Sequence, residues 1–290
     1  MAGGGADTVV VKCGGSPSLH RDSLASDVAD LVKQGKRVVL VHGGGPEADR
    51  LMRELGRTPQ HIVTPSGASS RRTDAEALDA LMMAFAGRVR PALIAQLDRL
   101  GVPAVGLTGM DGGLVEARQK PALKVVDEEG RTRLVRGDLS GRVTSVRSEL
   151  LELLCDSGYV PVVSPPVRGD GDTPLNVDAD RLAATLAGAL NARALVLLTD
   201  APGVLRDPDD PTTLVQTATA HADLMPHARG RMKLKIVAAG EALAGGVATV
   251  AIADGRRVSP VEAALAGEGT LLHTEPDAAE SLDTAAGSLA

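Results

Sequence analysis

Short apolar runs alternate along most of the chain with longer segments whose apolar residues recur at helical spacing. The β-branched run Val9, Val10 and Val11 predicts a strand over residues 9–11, ended by Lys12 and the turn Gly14-Gly15. Leu24, Val28, Leu31 and Val32 then share one helical face, with Gly35 placed as a stop. Residues 38–41 predict the next strand, closed by His42-Gly43-Gly44-Gly45-Pro46. Pro46 suits the first turn of a helix, which Leu51, Met52 and Leu55 continue to Gly56. Thr73-Asp74-Ala75-Glu76 has the spacing of a capping box opening a long helix. Further strands are predicted over residues 103–107, 160–164, 194–199 and 248–252, and helices over 147–157, 180–190 and 232–244. Strands alternating with helices of this length predict an α/β fold, with a mostly parallel sheet covered on both faces.

Residues 115–146 depart from this rhythm. Two alternating segments, 122–126 and 132–135, are split by Asp127-Glu128-Glu129-Gly130 and read as a β-hairpin inserted as a flap. No repeat of solenoid period occurs. The ends, residues 1–8 and 274–290, are small, polar and rich in Ala, Gly and Ser, and are expected to fray.

Composition narrows the function classes. Hydrophobic residues make up 43% of the 290, yet there is no Trp, one Tyr (Tyr159) and one Phe (Phe85). Base stacking on aromatic platforms is thereby excluded, and with it single-strand nucleic-acid binding of that kind. The formal net charge of −6 offers no basic field to DNA or an anionic membrane. The longest apolar stretches, near 194–198 and 247–253, fall far short of the ~18 residues of a membrane span. Residues 1–7 carry neither the charged nor the apolar region of a secretory signal. Two cysteines, Cys13 and Cys155, do not make a disulfide framework, and a reduced cytoplasmic setting is expected. Cys13 reads as a small buried hydrophobe.

Two glycine turns each follow a strand, and one lies beside a lysine. Glycines let a backbone approach a ligand closely, and N–H groups at a helix start favour anions, so the pair points to phosphate binding. No GxxxxGK[ST] occurs, which excludes a Walker-type NTPase. Gly43-Gly44-Gly45-Pro46-Glu47-Ala48 satisfies G-x-G-x-x-A, but no acidic residue lies between Glu54 and Asp74, where a dinucleotide fold needs one. GxSxG, HExxH and zinc-spaced Cys/His clusters are absent from the sequence, and His42 reads as a turn-packing residue rather than a base. In the second half, Asn176-Val177-Asp178-Ala179-Asp180 sits before an Ala/Leu-rich helix, with more polar groups than one cap requires. Thr199-Asp200-Ala201-Pro202-Gly203-Val204 follows a buried strand, where ligands of open α/β sheets sit. Gly230-Arg231-Met232-Lys233-Leu234-Lys235 opens a helix with cations that oppose its dipole, which favours a functional reason for them.

Lys12-x-Gly14-Gly15, His42-Gly43-Gly44-Gly45-Pro46, Arg71-x-Thr73-Asp74, Asn176-x-x-x-Asp180, Thr199-Asp200-x-Pro202-Gly203-Val204 and Met232-x-x-Lys235 occur in this order. Together, over about residues 9–272, they resemble the amino-acid kinase superfamily, specifically its acetylglutamate kinase branch. The resemblance implies an open αβα sandwich forming a single kinase domain. Its N-terminal lobe, 9–175, would bind an acidic substrate and its C-terminal lobe, 176–273, ATP. It implies Lys12 and Lys235 as the clamp on the transferring phosphoryl, Asp180 as the group orienting them, and Gly14, Gly15 and Gly44 as phosphate-holding N–H donors. Gly44, Gly45, Arg71 and Asn176 would bind the substrate, Arg71 its α-carboxylate and Asn176 its N-acyl amide. Asp200, Gly203, Val204, Leu205 and Met232 would lie along the nucleotide. An ionised carboxylate needs no general base; the chemical problem is to bring an anion onto a polyanion, so positioning and charge stabilisation carry the reaction. Mg²⁺ is expected on the ATP phosphates and water, since the chain offers no carboxylate cage.

Free N-acetylglutamate is one substrate of such an enzyme. Ser66-Gly67 followed by Ser70-Arg71, the phrase Arg136-Gly137-Asp138-Leu139-Ser140-Gly141, and Gly230-Arg231-Met232-Lys233 instead resemble the aminoadipate kinases of carrier-protein lysine biosynthesis. These act on a substrate tethered to a small acidic amino-group carrier of the LysW type. Eight basic residues against four acidic ones between Arg118 and Arg147 would steer such a partner to the flap. Arg90-Pro91 stands where relatives usually carry Asn-Lys, and leaves open whether the acyl chain is glutamate or aminoadipate. Few residues precede the first strand, which implies a homodimer without the N-terminal helix of arginine-inhibited hexamers. A non-catalytic nucleotide-binding regulator is the reading of another class, and the intact Lys12, Asp180 and Lys235 argue against it.

Overall fold

The computed structural model describes residues 7–16 and 19–273. Of the expected fraying, residues 1–6 and 274–290 lie outside the described residues. Asp7 and Thr8 do not fray: Thr8 opens the first strand, and Asp7 accepts a hydrogen bond from Lys36 Nζ at 2.8 Å.

The chain begins with β1 (Thr8–Cys13), α1 (Arg21–Lys33), β2 (Arg37–His42) and α2 (Gly45–Glu54). Two short strands, β3 (His61–Val63) and β4 (Ser69–Arg71), precede α3 (Ala75–Ala84), a π-helical turn (Phe85–Val89) and α4 (Arg90–Arg99). There follow β5 (Ala104–Gly109), β6 (Val115–Gln119), β7 (Leu123–Val126), β8 (Thr132–Val135), β9 (Gly141–Val146), α5 (Glu149–Asp156), β10 (Val160–Arg168) and β11 (Pro174–Leu175). The last part comprises α6 (Ala179–Ala189), β12 (Ala194–Thr199), β13 (Thr217–Ala218), α7 (His221–Leu224), α8 (Arg231–Ala244), β14 (Thr249–Asp254), α9 (Pro260–Leu265) and β15 (Thr270–His273).

The main sheet runs β13-β15-β14-β12-β1-β2-β10-β6-β9, with β5 and β11 also on β10. Its centre is parallel: β1 pairs with both β12 and β2, and β10 with β2 and β5. Such strands are covered on both faces and read as unbroken apolar runs. β12, for example, is buried at all six positions. Alternate residues serve opposite faces. Val9, Val11, Val38, Leu40 and Val162 meet apolar residues of α1, α4 and α9, and Val10, Val39, Val41 and Val163 meet those of α5, α6 and α8. The result is the open αβα sandwich expected. The sheet is unbroken at residue 175, because β1 from the first half is hydrogen-bonded directly to β12 from the second. Chain connections leave β1 towards β2 on one side and return to β12 on the other, so the crevice at the carboxyl ends of these strands is the natural ligand position.

The hairpin of residues 122–135 forms as β7 and β8, but it is half of a second sheet of order β4-β3-β7-β8. The β3–β4 hairpin escaped the hydrophobic pattern because each strand is only three residues long and carries no fully buried apolar residue. The capping box is corrected too. Asp74, not Thr73, caps α3, accepting the Ala77 N–H at 2.9 Å. The predicted long helix persists from α3 to α4 but widens into the π turn, where Pro91 has no N–H for the carbonyl four residues back.

Asp27 joins distant parts of the chain. It is buried on α1 and accepts the N–H groups of Val261 at 2.6 Å and Glu262 at 3.2 Å, capping α9 from outside. Asp27→Ala leaves both donors unpaired and is expected to cost about 1–3 kcal/mol. Urea denaturation should show a lower midpoint at unchanged m, with a smaller loss for Asp27→Asn.

Candidate active site

Lys12 is the last but one residue of β1, on the face covered by α6 and α8. Two helix starts are built to meet it. Asp178 caps α6, its Oδ1 accepting the N–H groups of Asp180 at 3.0 Å and Arg181 at 3.2 Å, which places Asp180 in the first turn. A carboxylate is favoured there by the helix dipole. Gly230, at φ 51°, turns the chain into α8, and Lys235 follows one turn later. Asp180 Oδ1 lies 2.8 Å from Lys12 Nζ and 2.9 Å from Lys235 Nζ, with Oδ2 3.1 Å from Lys235. Lys12, Asp180 and Lys235 are 3%, 4% and 8% exposed, so water screens these charges little.

One carboxylate thus answers two ammoniums. Burial would raise the Asp180 pKa, but Lys12 and Lys235 hold it well below the usual carboxylate range. Burial would likewise lower Lys12, yet Asp180 keeps it above its ordinary value. Lys235 goes the other way: burial brings it down to about 8 against the pull of Asp180, and the Lys12 ammonium adds to the fall. Burial and the Asp180 charge push the neighbouring Asp178 carboxyl up. The cluster is therefore short of negative charge, as a seat for an anion should be.

The two glycine turns meet beside it. A Cβ on Gly15 would lie 2.7 Å from Gly44 Cα, and a Cβ on Gly44 would lie 2.7 Å from the Phe85 ring, so neither position has room for a side chain. The single Phe is spent as the floor of the second turn. It packs edge-on against His42 with ring centroids 5.8 Å apart. His42 is the turn-packing residue expected. It is wholly buried, hydrogen-bonds the Gly43 carbonyl through Nδ1 at 2.9 Å, and burial lowers its pKa to about 4, which keeps it neutral. Cys13 is buried in the core, where desolvation raises its thiol pKa and leaves it inert.

A cavity of about 670 Å³ opens from Gly43–Gly45 across the β3–β4 hairpin to β9 and runs along α6 as far as Ala189 and Gly245. Gly44, Gly45, Arg71 and Asn176 all line it. Arg71 donates to the Gly45 carbonyl at 2.9 Å and forms an ion pair with Asp49. Asn176 Nδ2 donates to Thr73 Oγ1 at 3.1 Å. Buried Asp138 ties the flap to these motifs by accepting the Thr73 and Ser140 N–H groups at 2.8 and 2.9 Å.

The other predicted residues, Lys12, Asp180 and Lys235 of the buried cluster together with Gly14, Gly15, Asp200, Gly203, Val204, Leu205 and Met232, do not line this cavity. Gly203 has room for no side chain, since a Cβ would lie 2.7 Å from Thr270 Oγ1 and Leu214. Val204 is fully engaged: its side chain is in the core, its N–H bonds Thr270 Oγ1 at 2.8 Å, and its carbonyl takes the Val215 N–H. Val204 is thus a strut, with no polar group left for a nucleotide. Several contacts escaped the sequence reading. Lys233 Nζ reaches the Ser66 carbonyl at 2.5 Å, and Arg231 comes close to Gly45 beside Arg71, so the start of α8 grips the β3–β4 hairpin. Adjacent cations at a helix start were the one visible signal.

A central parallel sheet with a buried lysine–aspartate–lysine cluster over paired glycine turns defines a phosphotransferase. The chain belongs to the amino acid kinase family, whose model matches residues 7–254. It is 42% identical over 266 residues to the [LysW]-aminoadipate kinase of Deinococcus radiodurans, covering 91% of each chain. It is 38% identical over 256 residues to the acetylglutamate kinase of Symbiobacterium thermophilum, covering 86% of this chain and 84% of that one. Among solved structures, N-acetylglutamate synthase from Neisseria gonorrhoeae with coenzyme A and N-acetylglutamate superposes with a TM-score of 0.73 at 28% identity. That match covers 94% of this chain and 61% of the synthase.

Asp180→Asn removes the carboxylate that touches both lysines and leaves two ammoniums facing each other. The expected cost at neutral pH is about 3–5 kcal/mol. In the variant both lysines titrate below their unfolded value of ~10.4, so the unfolded chain binds more protons and stability rises with pH. Denaturation at about pH 7 and pH 9.5 should show the deficit shrinking at the higher pH.

Proposed function

We propose that the protein transfers the γ-phosphoryl of ATP to the side-chain carboxylate of an N-acylated acidic amino acid, aminoadipate or glutamate, carried on a small acidic LysW-type protein. The observation that carries this reading is the shared Asp180 carboxylate, which holds two buried ammoniums beside the paired glycine turns and leaves them short of negative charge. Lys12 approaches the transferring phosphoryl from β1 and Lys235 from α8. Asp180 keeps both in place, and the N–H groups of Gly14, Gly15 and Gly44 hold phosphate oxygens. A carboxylate oxygen bonds phosphorus as the bond to the bridging oxygen breaks, giving an acyl phosphate and ADP. No proton moves, which agrees with His42, the histidine of the second glycine turn, being buried and neutral.

Arg71, held beside Gly45, takes the substrate α-carboxylate, and Asn176 the acyl amide. Asp200, Leu205 and Met232 lie along the nucleotide, with Gly203 and Val204 supporting that loop from behind. Mg²⁺ would enter with the nucleotide and supply charge neutralisation at its phosphates. The donor set fits that role: Asp180 is committed to the lysines, and among the described residues no three acidic, His or Cys side chains gather to hold a metal. Support for the carrier comes from the name of the Deinococcus relative and from charge. At the hairpin tip Arg131 and Arg133 are answered by Asp127 and Glu129, whereas exposed Arg118, Lys124, Arg136 and Arg142 have no ion pair among the described residues. Arg142 lies on the cavity wall. Among the described residues no helix is long and apolar enough to cross a membrane.

A hydroxylamine trap for acyl phosphate, run with N-acetylglutamate, N-acetylaminoadipate and a carrier protein ending in an aminoadipyl-glutamate, separates the readings. The carrier-linked substrate is expected to give the highest kcat/KM; turnover of free N-acetylglutamate alone would make the protein an acetylglutamate kinase instead. Lys12→Ala is expected to lower kcat at least about 100-fold, the size of a lost charge contact in the transition state. Lys235 must be charged and titrates near 8, so kcat/KM for ATP should fall as pH rises above about 8. Lys235→Arg should abolish that alkaline limb.

A further inference from the structure

The strand ends that present Lys12 to α6 and α8 carry a second set of polar side chains on their other face. Cys13 and His42 pair across β1 and β2, and both point to the side covered by α1 and α4. β10 lies parallel to β2, with Val162 against Leu40 and Val163 against Val41, so Ser164 comes level with His42, one strand spacing of about 4.8 Å away. Arg90 reaches this row from α4. A Cβ on Gly106, which pairs with Val162, would lie 2.6 Å from Arg90 Cδ and 3.0 Å from its Nε. Three buried atoms here have no hydrogen-bond partner among the described residues: His42 Nε2, Ser164 Oγ and Arg90 Nη1. Asp111, the acid that acts on Arg90, spends its Oδ2 on the Thr108 N–H and hydroxyl at 2.6 and 3.0 Å.

The three atoms complement one another. His42 Nδ1 lies 2.9 Å from the Gly43 carbonyl oxygen, which can only accept, so Nδ1 carries the proton. In the neutral ring Nε2 is then a lone pair in need of a donor. Arg90 Nη1 can only donate, and the Ser164 hydroxyl does either. Burial keeps the ring neutral against the pull of the Gly43 bond, helped by the charges of Arg90 on α4, Arg21 on α1 and Lys12 on β1. Cys13, Ser164 and Phe85, which flank it, bring no negative charge. An anion would face the Nε2 lone pair, whereas a water can accept from Arg90 and donate to Nε2. The Gly43–Gly44 peptide is trans, so its C=O and N–H point in opposite directions. With the carbonyl held by His42, the Gly44 N–H turns towards the side on which Gly43 and Gly44 line the cavity, and no acceptor among the described residues takes it. We infer that Arg90 is a positioning residue: with Ser164 and one shared water it holds His42 in the Nδ1–H form, and His42 aims the Gly44 N–H at the phosphate. The aim at a phosphate rests on the function proposed above; the ring's protonation and its donors do not.

Nitrogen NMR of the histidine-labelled wild-type protein at neutral pH reads the ring directly, with the His42 signals identified by their loss in His42→Asn. A neutral ring protonated on Nδ1 is expected; an Nε2–H ring or an imidazolium overturns the inference. Arg90→Met removes a donor and a charge, so the His42 pKa should rise and the Nδ1–H population fall. In the acyl-phosphate assay its kcat is expected to drop at least about tenfold with KM changed less than about threefold, part of the worth of one transition-state donor. Arg90→Lys, which keeps a donor and a charge, should recover some of that loss. An unchanged ring and unchanged kcat in Arg90→Met would overturn the role of Arg90. His42→Asn retains an N–H at the Nδ1 position and should keep more activity than His42→Leu; equal losses in the two, both folded by circular dichroism, would overturn the aiming of Gly44. If no acidic amino acid is phosphorylated while His42 shows the Nδ1–H ring, the kinase reading falls and the hold of Arg90 on His42 stands.

Discussion

The structure turns on a carboxylate that must serve two buried ammoniums. Asp180 sits where one strand end and two helix starts converge, and each partner is constrained by that meeting. Lys12 is tolerable inside a parallel sheet only because an opposite charge lies 2.8 Å away. Lys235 is tolerable inside α8 for the same reason. Removing either helix from its place would strand a charge in a medium that screens it poorly. The cluster is therefore a constraint on the fold as much as an instrument of chemistry. It leaves one positive charge in excess beside two turns that have no side chains to obstruct an anion.

The surrounding parts keep that arrangement rigid by means that are mostly not catalytic. Phe85 and His42 pack under Gly44, and the His42 ring fixes the Gly43 carbonyl. Asp138 ties the flap to Thr73, while the backbone of residues 139–141 pairs with Asn176, so one irregular segment positions two sides of the cavity. Arg231 and Lys233 extend from the helix that carries Lys235 to the hairpin that carries Arg71. The helix that carries Lys235 and the hairpin that carries Arg71 are thereby mechanically linked.

The shortage of aromatic residues has a local meaning. A core of Ala, Val, Leu and Ile suits a sheet buried on both faces, where small and branched side chains interleave between strands and helices. Phe85 is the exception, placed where a flat ring lets the glycine backbone approach to contact distance. Tyr159, the other ring, is partly exposed at the far end of the sheet, away from the ligand crevice.

Much of the architecture was legible along the chain, because strands covered on both faces and helices with one apolar face leave periods in sequence that need no partner to be read. The ordered Lys12, Gly14-Gly15, Gly43–Gly45, Arg71, Asn176, Asp180 and Lys235 motifs likewise stand out along the chain, and the fold gathers Lys12, Asp180 and Lys235 into one cluster. Where the signal is short or shared, the sequence was silent. The β3 and β4 strands are too brief to show a period. Asp74 rather than Thr73 caps α3, and the Thr73 hydroxyl instead accepts from Asn176, more than a hundred residues on. Val204 matches a nucleotide motif, yet Thr270 and Val215 consume its polar groups. By itself the sequence determined which residues are apolar, flexible or charged, and so the layers of the fold and the chemistry present. Only the tertiary structure decided which charge answers which, since pairing and desolvation depend on distances between segments the chain keeps far apart.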